Sequence, residues 1–310
     1  MRWTDPLLII GGAPCQPFSK AAYWVDPGDD ARYRQARTNG DRAKRPSPPP
    51  LRPDSRRTLV DDYWRLVCST RADAFVFENV PSLLHPRHRP VFDALLERAH
   101  LEGFHTTVVQ ASAADYGVPQ RRQRVFVLAT RRQLPLPPEP THSDDPMLQL
   151  APIVTAGQAL AAIPTNDLDE PEIVVTGKWA QHLQDVPAGT NYKHHTAWAG
   201  HASPTFVTET RFWTFLLKLH PDLPSWTIAA NPGPWVGPFH WDSRRLRTAE
   251  LAALQSFPPD FQFVGTRRER VRQIGNAVPP PLGQRMVEQV LLAMGAEPAK
   301  QAENGWLLAT

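Results

Sequence analysis

Cysteine is scarce in this chain, which has only Cys15 and Cys68 among its 310 residues. Two cysteines cannot build the disulfide framework of a small secreted domain, and neither has a second cysteine or a histidine at metal-ligand spacing. His194, His195 and His201 cluster only loosely along the chain. We therefore expect neither a disulfide scaffold nor a bound metal.

Long apolar runs are also missing. No stretch approaches the ~20 residues that a membrane-spanning helix requires, and the N-terminus carries no signal-peptide pattern. These absences predict a cytoplasmic protein without a membrane partner. A strong overall charge is absent too, since 34 Lys and Arg against 31 Asp and Glu leave a formal charge of +3.

The positive charge is concentrated in one segment. Residues 31–57 contain nine Arg or Lys against two acids. A run of this kind is commonly solvated or disordered, but it also suits the phosphate backbone of a nucleic acid. Because the surrounding residues are polar and rich in proline, we predict a long mobile loop over residues 20–57.

Apolar runs and helical periodicities alternate along the first 130 residues, which is typical of an α/β fold. The predicted strands lie at residues 7–10, 74–77, 106–110 and 125–129. Helical faces are predicted from Leu59, Tyr63, Leu66 and Val67, and from Val91, Phe92, Leu95, Leu96 and Ala99.

Residues 147–243 differ in composition, because they hold six of the ten tryptophans and little clear periodicity. They indicate a second, smaller lobe after the proline-rich linker 134–140. Helical spacing returns from Arg244, and the last helix, around residues 282–294, is expected to rejoin the first domain. The sequence thus predicts three segments, 1–130, 131–243 and 244–310.

A cysteine on a loop shaped by glycine and proline follows the first predicted strand, in Gly11-Gly-Ala-Pro-Cys-Gln-Pro-Phe-Ser19. A strand that ends in such a loop can fix a nucleophilic thiol at the edge of a sheet. A free thiol has a pKa of about 8.5, so it needs help to become a thiolate. By itself Cys15 is equally well interpreted as a buried or turn cysteine.

Charged residues occur at the ends of two other strands. Glu78 follows the strand 74–77 directly, at the carboxyl end where open α/β sheets bind ligands, although alone it could be a helix cap or an ion-pair partner. The run Gln120-Arg-Arg-Gln-Arg124 leads into the strand 125–129. Strand alternation puts Arg122 and Arg124 on one side and Arg121 on the other. Alone, such a run usually marks an exposed edge.

The order of these motifs resembles the DNA cytosine-5 methyltransferase family. Pro-Cys-Gln, Glu-Asn-Val and Gln-x-Arg-x-Arg precede a variable lobe, and Gln273-Ile-Gly-Asn-Ala-Val-Pro-Pro280 follows it. Arg244-Arg-Leu-Arg-Thr-Ala-Glu250 and Leu254-Gln-Ser-Phe-Pro258 match the element just before the final motif. The resemblance spans residues 7–130 and about 226–294.

This resemblance implies an α/β fold, an incomplete Rossmann-like S-adenosylmethionine methyltransferase sheet with a smaller target-recognition lobe. It also implies methylation of carbon 5 of cytosine in double-stranded DNA, in a bacterial restriction-modification system. Cys15 matches the nucleophile, Glu78 the carboxyl that acts at nitrogen 3, Arg124 the arginine that holds the exocyclic oxygen, and Arg122 its companion. The residues assigned to S-adenosylmethionine are Pro14, Asn276 and Ala277, and those assigned to DNA are Gln16, Ser19, Arg32, Arg34 and Gln120.

The chain departs from the family pattern before Cys15, where a Phe-x-Gly-x-Gly turn for S-adenosylmethionine is expected and does not occur. Strand 7–10 is then expected to be an exposed apolar edge. Three explanations remain open at this point. The start is misassigned or the gene is fragmentary; a complementary N-terminal chain supplies the cofactor half; or the chain is a relic, a DNA-binding subunit without catalysis.

Overall fold

The computed structural model describes residues 6–18, 54–161, 163–164, 170–206 and 213–296, together with Arg32, Ala36 and Arg42. These residues form two compact units. The first draws on Met1–Ala111, Gln123–Pro138 and Arg285–Ala299, and the second on Ser112–Arg122 and Glu139–Gln284. The units alternate along the chain, so their limits differ from the segments 1–130, 131–243 and 244–310. The division of the chain into these three functional regions stays a prediction.

The described elements are short strands and helices. The strands are β1 (Leu8–Gly11), β2 (Ala74–Asn79), β3 (His105–Ser112), β4 (Gln120–Arg121), β5 (Gln123–Thr130) and β6 (Ser225–Trp226). The helices are α1 (Leu59–Ser69), α2 (Arg89–Leu101), α3 (Ala156–Ala161), α4 (Ala180–Asp185), α5 (Thr248–Leu254), α6 (Arg267–Asn276) and α7 (Pro280–Ala293). Among these helices, none combines the length and the apolar character that crossing a bilayer requires.

A four-stranded sheet in the order β1-β2-β5-β3 forms the centre of the first unit. Strand β1 runs parallel to β2, and β2 runs antiparallel to β5. Residues 74–77 are all buried, as expected of a strand with side chains packed on both faces. The predicted strands and the α/β class, with an open mixed sheet, are confirmed.

Strand β1 lies at the edge of this sheet within the described part of the chain. Its residue Ile10 is 60% exposed. The exposed apolar edge expected for residues 7–10 is therefore present. The hydroxyl of Tyr63 on α1 donates to the carbonyl of Val76 at 2.9 Å, and its ring lies 3.4 Å from where a Cβ on Gly11 would stand. Tyr63 thus secures the junction of β1 and β2.

The helices of the first unit bury one face each against the sheet. On α1 the buried residues are Val60, Tyr63, Trp64 and Val67. Leu66, which the spacing had assigned to this face, is 49% exposed. Leu66 lies outside the buried face because residues 60, 63, 64 and 67 already form a complete helical stripe of the i, i+3, i+4, i+7 type.

The second unit contains two apolar clusters. One is built from α3, α5 and α6 and includes Ala156, Leu251, Leu254 and Ile274. The other is aromatic, with Leu183, Tyr192 and Phe239 buried and with Trp179 and Trp235 packed against it. Strands β4 and β6 add a parallel pair in which Gln120 lies opposite Ser225 and Arg121 opposite Trp226. The tryptophans of this lobe therefore supply part of its core.

Candidate active site

Cys15 lies on the loop that follows β1, as a partly exposed free thiol. A short turn fixes this loop, since the amide of Phe18 donates to the Cys15 carbonyl at 3.0 Å. Two side chains, one at the end of β2 and one just after it, donate hydrogen bonds to carbonyls of this loop. The Asn79 amide donates to the Ala13 carbonyl at 3.0 Å, and the Ser82 hydroxyl donates to the Phe18 carbonyl. The position of the thiol is therefore set by the end of the neighbouring strand.

Glu78 and Arg124 form an ion pair at the same edge of the sheet. Arg124 Nε lies 2.7 Å from Glu78 Oε1, and only a tenth to a fifth of either side chain is exposed. Antiparallel pairing brings them together, because Glu78 stands opposite Phe126 and Asn79 opposite Val125. Burial lowers the pKa of Arg124, whereas the charges of Glu78 and Cys15 raise it. Thiol, carboxyl and guanidinium therefore act on one another in the first unit.

Gly12 allows the cysteine loop to approach Glu78 closely. A Cβ at this position would lie 2.2 Å from the Glu78 carbonyl oxygen and 3.1 Å from its Oε2. Non-bonded Cβ atoms essentially never lie closer than 3.0 Å to another heavy atom, so any side chain here would force the loop or β2 to shift. The sequence predicts a loop shaped by glycine and proline here, and it carries no signal that Gly12 is needed for close contact with a residue of β2.

Arg122 belongs to the second unit and is 1% exposed. Its Nη2 donates to the Gly275 carbonyl at 2.8 Å, and its Nη1 donates to the Ile228 carbonyl at 3.3 Å. Gly275 is itself packed so tightly that a Cβ would lie 2.4 Å from Ala230 Cα. These contacts suit a residue that positions the end of α6. The burial pattern confirms the alternation, since Arg122 and Arg124 are buried and Arg121 is exposed.

Gln120, which we had assigned to DNA, is fully buried. Its amide donates to the Leu254 carbonyl at 3.1 Å and to Gln255 Oε1 at 2.9 Å, and its Oε1 accepts from the Ile228 amide at 3.0 Å. An amide that is satisfied internally at both ends is not available to read a base. The structure thus gives Gln120 a structural role in the second unit, and its assignment to DNA stays a prediction.

Gln255 is a site residue that the sequence reasoning missed. It is fully buried, and its amide donates to the Ile274 carbonyl at 2.6 Å and to the Ala277 carbonyl at 3.4 Å. Together with Gln120 it fixes the backbone around Asn276. A glutamine inside the otherwise apolar periodicity of Leu251 and Leu254 was the signal that could have revealed it.

The residues assigned to S-adenosylmethionine are divided between the units. Pro14 lies partly exposed on the cysteine loop of the first unit. In the second unit Asn276 ends α6 with an exposed side chain, and Ala277 caps the helix with its amide 3.2 Å from the Gln273 and Ile274 carbonyls. An accessible amide on a firmly held backbone offers one donor group and one acceptor, which fits one face of a polar adenosyl group.

The remaining residues assigned to DNA are only partly described. Gln16 and Arg32 are exposed, as such a contact requires. Ser19 and Arg34 lie outside the described residues, as does most of the basic segment 31–57. In the part of the chain that the structure covers, no three His, Cys, Asp or Glu side chains are grouped as metal ligands would be.

Known proteins resemble the chain along most of its length. A sequence model of the C-5 cytosine-specific DNA methylase family matches residues 52–291. The type II methyltransferase M.SacI of Streptomyces achromogenes is 38% identical over 308 residues, which cover 94% of this chain and 73% of that protein. The type II methyltransferase M.NgoFVII of Neisseria gonorrhoeae is 32% identical over 281 residues, 88% of this chain and 66% of that protein.

A solved structure gives independent support for the fold. A protein described as a prophage-encoded DNA modification methyltransferase of E. coli superposes with a TM-score of 0.56 over 93% of this chain and 79% of its own, at 18% identity. At this identity the likeness concerns the fold alone. The sequence matches decide the family: the chain belongs to the C-5 cytosine-specific DNA methylases.

Proposed function

We propose that this chain methylates carbon 5 of cytosine in double-stranded DNA by transient addition of the Cys15 thiolate, as the modification enzyme of a type II restriction-modification system. Family membership supports the reaction class. The observation that carries the mechanism is the buried ion pair between Glu78 and Arg124, 2.7 Å long, beside the fixed cysteine loop.

Cytosine carbon 5 is a poor nucleophile, and addition of a thiolate at carbon 6 removes this difficulty. The sulfur lone pair forms the S–C6 bond, and the C5–C6 π electrons become available at carbon 5. Burial lowers the pKa of Arg124 and the charges of Glu78 and Cys15 raise it, so Arg124 is a cation that interacts electrostatically with Cys15.

Glu78 acts on the ring nitrogen that gains charge in this addition. A proton held between the Glu78 carboxyl and nitrogen 3 withdraws electrons from the ring and assists attack at carbon 6. Arg124 orients the carboxyl through Oε1 and can donate to the exocyclic oxygen of the base. After methylation a water molecule takes the proton from carbon 5, the bonding pair left behind re-forms the C5–C6 double bond, and the S–C6 bond breaks to release the thiolate.

The methyl group is supplied by S-adenosylmethionine when it is bound. In the second unit Asn276 and Ala277 would contact it, and the buried Arg122 and Gln255 would hold their backbone in place. The cytosine must leave the base stack before Cys15 can reach carbon 6, at a cost of a few kcal/mol.

Covalent trapping tests the proposal. Duplexes with 5-fluorocytosine at randomised positions are incubated with the chain and S-adenosylmethionine. A base can remove the proton that normally sits on carbon 5, but it cannot remove fluorine, so the covalent adduct persists. We expect a denaturant-stable adduct with the natural chain and none with Cys15→Ser. The matched control is Cys68→Ser, since Cys68 is also a partly exposed free cysteine and should have no effect.

Two other results would change the proposal. An adduct that survives Cys15→Ser would refute the role of Cys15. An adduct that forms only after a chain with a Phe-x-Gly-x-Gly turn is added would support the alternative, a DNA-binding subunit that needs a second chain. The exposed edge of β1 is the observation in favour of this alternative, because a further strand could pair there.

A further inference from the structure

Three side chains of the second unit, Arg121, Trp226 and Trp213, form a row that we term the tryptophan ladder. The Arg121 guanidinium lies 5.4 Å from the centre of the Trp226 ring. Trp226 and Trp213 meet edge to face, with their ring centres 4.6 Å apart at 73°. The row ends at Trp213, which is 45% exposed.

The ladder is held on both sides by hydrogen bonds. Arg121 and Trp226 are partners in the β4–β6 pair, and the Thr227 hydroxyl donates to the Arg121 carbonyl at 3.0 Å. The Asn191 amide donates to the Trp213 carbonyl at 2.7 Å. The exposed ring therefore stands on a fixed backbone.

Exposure of this ring is unusual in its own unit. Trp179 and Trp235 pack against the aromatic cluster of the same lobe. Among the described residues, the exposed large aromatics are Trp213 and Phe261. A tryptophan buries more apolar surface than almost any other side chain when it has a place in a core. Trp213 stays outside and packs against Trp226, over which a cation lies, which is typical of a recognition surface.

We propose that the tryptophan ladder is a DNA-contact surface on which Trp213 stacks against a base that has lost a stacking neighbour. This inference rests on the proposed function, since flipping of a cytosine opens such a step in the duplex. An aromatic ring can stack on any base, and apolar side chains fill opened base steps in DNA complexes.

Charge explains why nucleic acid suits the ladder better than another protein. Arg121 is exposed and places a cation over the Trp226 ring. A cation beside an aromatic row suits a partner that offers both flat bases and phosphates. A purely apolar partner would leave the guanidinium without a complementary charge.

DNA affinity at several salt concentrations tests the inference, measured by fluorescence anisotropy with the full chain and labelled duplex pools. Loss of one stacked base by Trp213→Ala should raise Kd about 5- to 150-fold, from the usual 1–3 kcal/mol per base at 1.4 kcal/mol per tenfold. The slope of log Kd against log salt should not change, because no charge is removed. Trp213→Phe should keep most of the affinity.

Phe261→Ala is the matched control, because Phe261 is a comparably exposed aromatic of the same unit that packs against Phe257 and Phe263 and is not part of the ladder. If Trp213→Ala binds DNA as tightly as Phe261→Ala and the natural chain do, the inference is wrong while the proposed function stands. It is equally wrong if Trp213→Ala changes only self-association in sedimentation. If the natural chain binds no DNA at all, the proposed function itself fails.

Discussion

Gly12→Ala offers the sharpest test of how the active site is assembled. The new methyl group would lie 2.2 Å from the Glu78 carbonyl oxygen, and real Cβ contacts essentially never fall under 3.0 Å. The cysteine loop or the end of β2 must therefore move by about 0.8 Å. Both alternatives displace Cys15 relative to Glu78 and Arg124, since all three are fixed through this contact and through the Asn79 hydrogen bond.

A misplacement of about 1 Å can reduce the rate of a positioned reaction ~100-fold. We expect a loss of this size in the single-turnover rate of adduct formation on 5-fluorocytosine DNA. Overpacking of this kind costs roughly 1–3 kcal/mol of unfolding free energy, so urea unfolding should detect a folded but destabilised protein.

Gly11→Ala provides the control at the neighbouring position. Its Cβ would meet only the Tyr63 ring, at the ordinary contact distance of 3.4 Å. We expect adduct formation within a few-fold of the natural rate. If Gly12→Ala reacts as fast as Gly11→Ala, the close approach of the loop to Glu78 is not what positions the thiol.

Two further predictions concern stability. Glu250 is buried against Arg244 and Arg247, each 2.7 Å away, and although burial raises the pKa of Glu250, these hydrogen bonds lower it to about 2. Glu250→Gln should reduce the free energy of unfolding in urea by ~3 kcal/mol. The control is Glu269→Gln at an exposed helix cap, for which a much smaller loss is expected; equal losses would contradict this account. Burial, reinforced by Arg57, lowers the pKa of His88 from 6.5 to about 4, so the folded state binds its proton more weakly than the unfolded state does; the stability of the natural chain should fall as the pH drops from 6.5 toward 4. His88→Phe should weaken that fall, because it removes the titrating group, while its phenyl ring can keep the edge-to-face contact with Phe18. An unchanged pH profile would exclude His88 as its source.

Much of the first unit could be predicted because its signals are local. The continuous apolar run at residues 74–77 predicts a central strand, and the structure has β2 there. The helical spacing of Phe92, Leu95 and Ala99 predicts the buried face of α2. Leu66 was misassigned because several stripes along one helix can satisfy the same spacing, and only the sheet decides which of them is buried.

The candidate site shows the same division. The order of Cys15, Glu78 and Arg124 in their motifs was enough to indicate the family and the chemistry expected of it. No local pattern indicated that the Gln120 side chain is buried and bonded to Gln255, although Gln120 belongs to the same motif as Arg124. Its partner Gln255 lies 135 residues away along the chain. The hydrogen bond between Arg122 and the Gly275 carbonyl likewise joins residues that are 153 positions apart.

The sequence by itself therefore determined the strands of the first unit and the family, and it predicted the thiol, carboxyl and guanidinium of the candidate site, because periodicity and motif order are properties of short segments. Only the tertiary structure decided that Gly12 must lack a side chain, that Gln120 and Gln255 hold the end of α6, and that Trp213 remains exposed while Trp179 is packed. These outcomes depend on which surfaces meet after distant segments fold together, and no short window of residues records that.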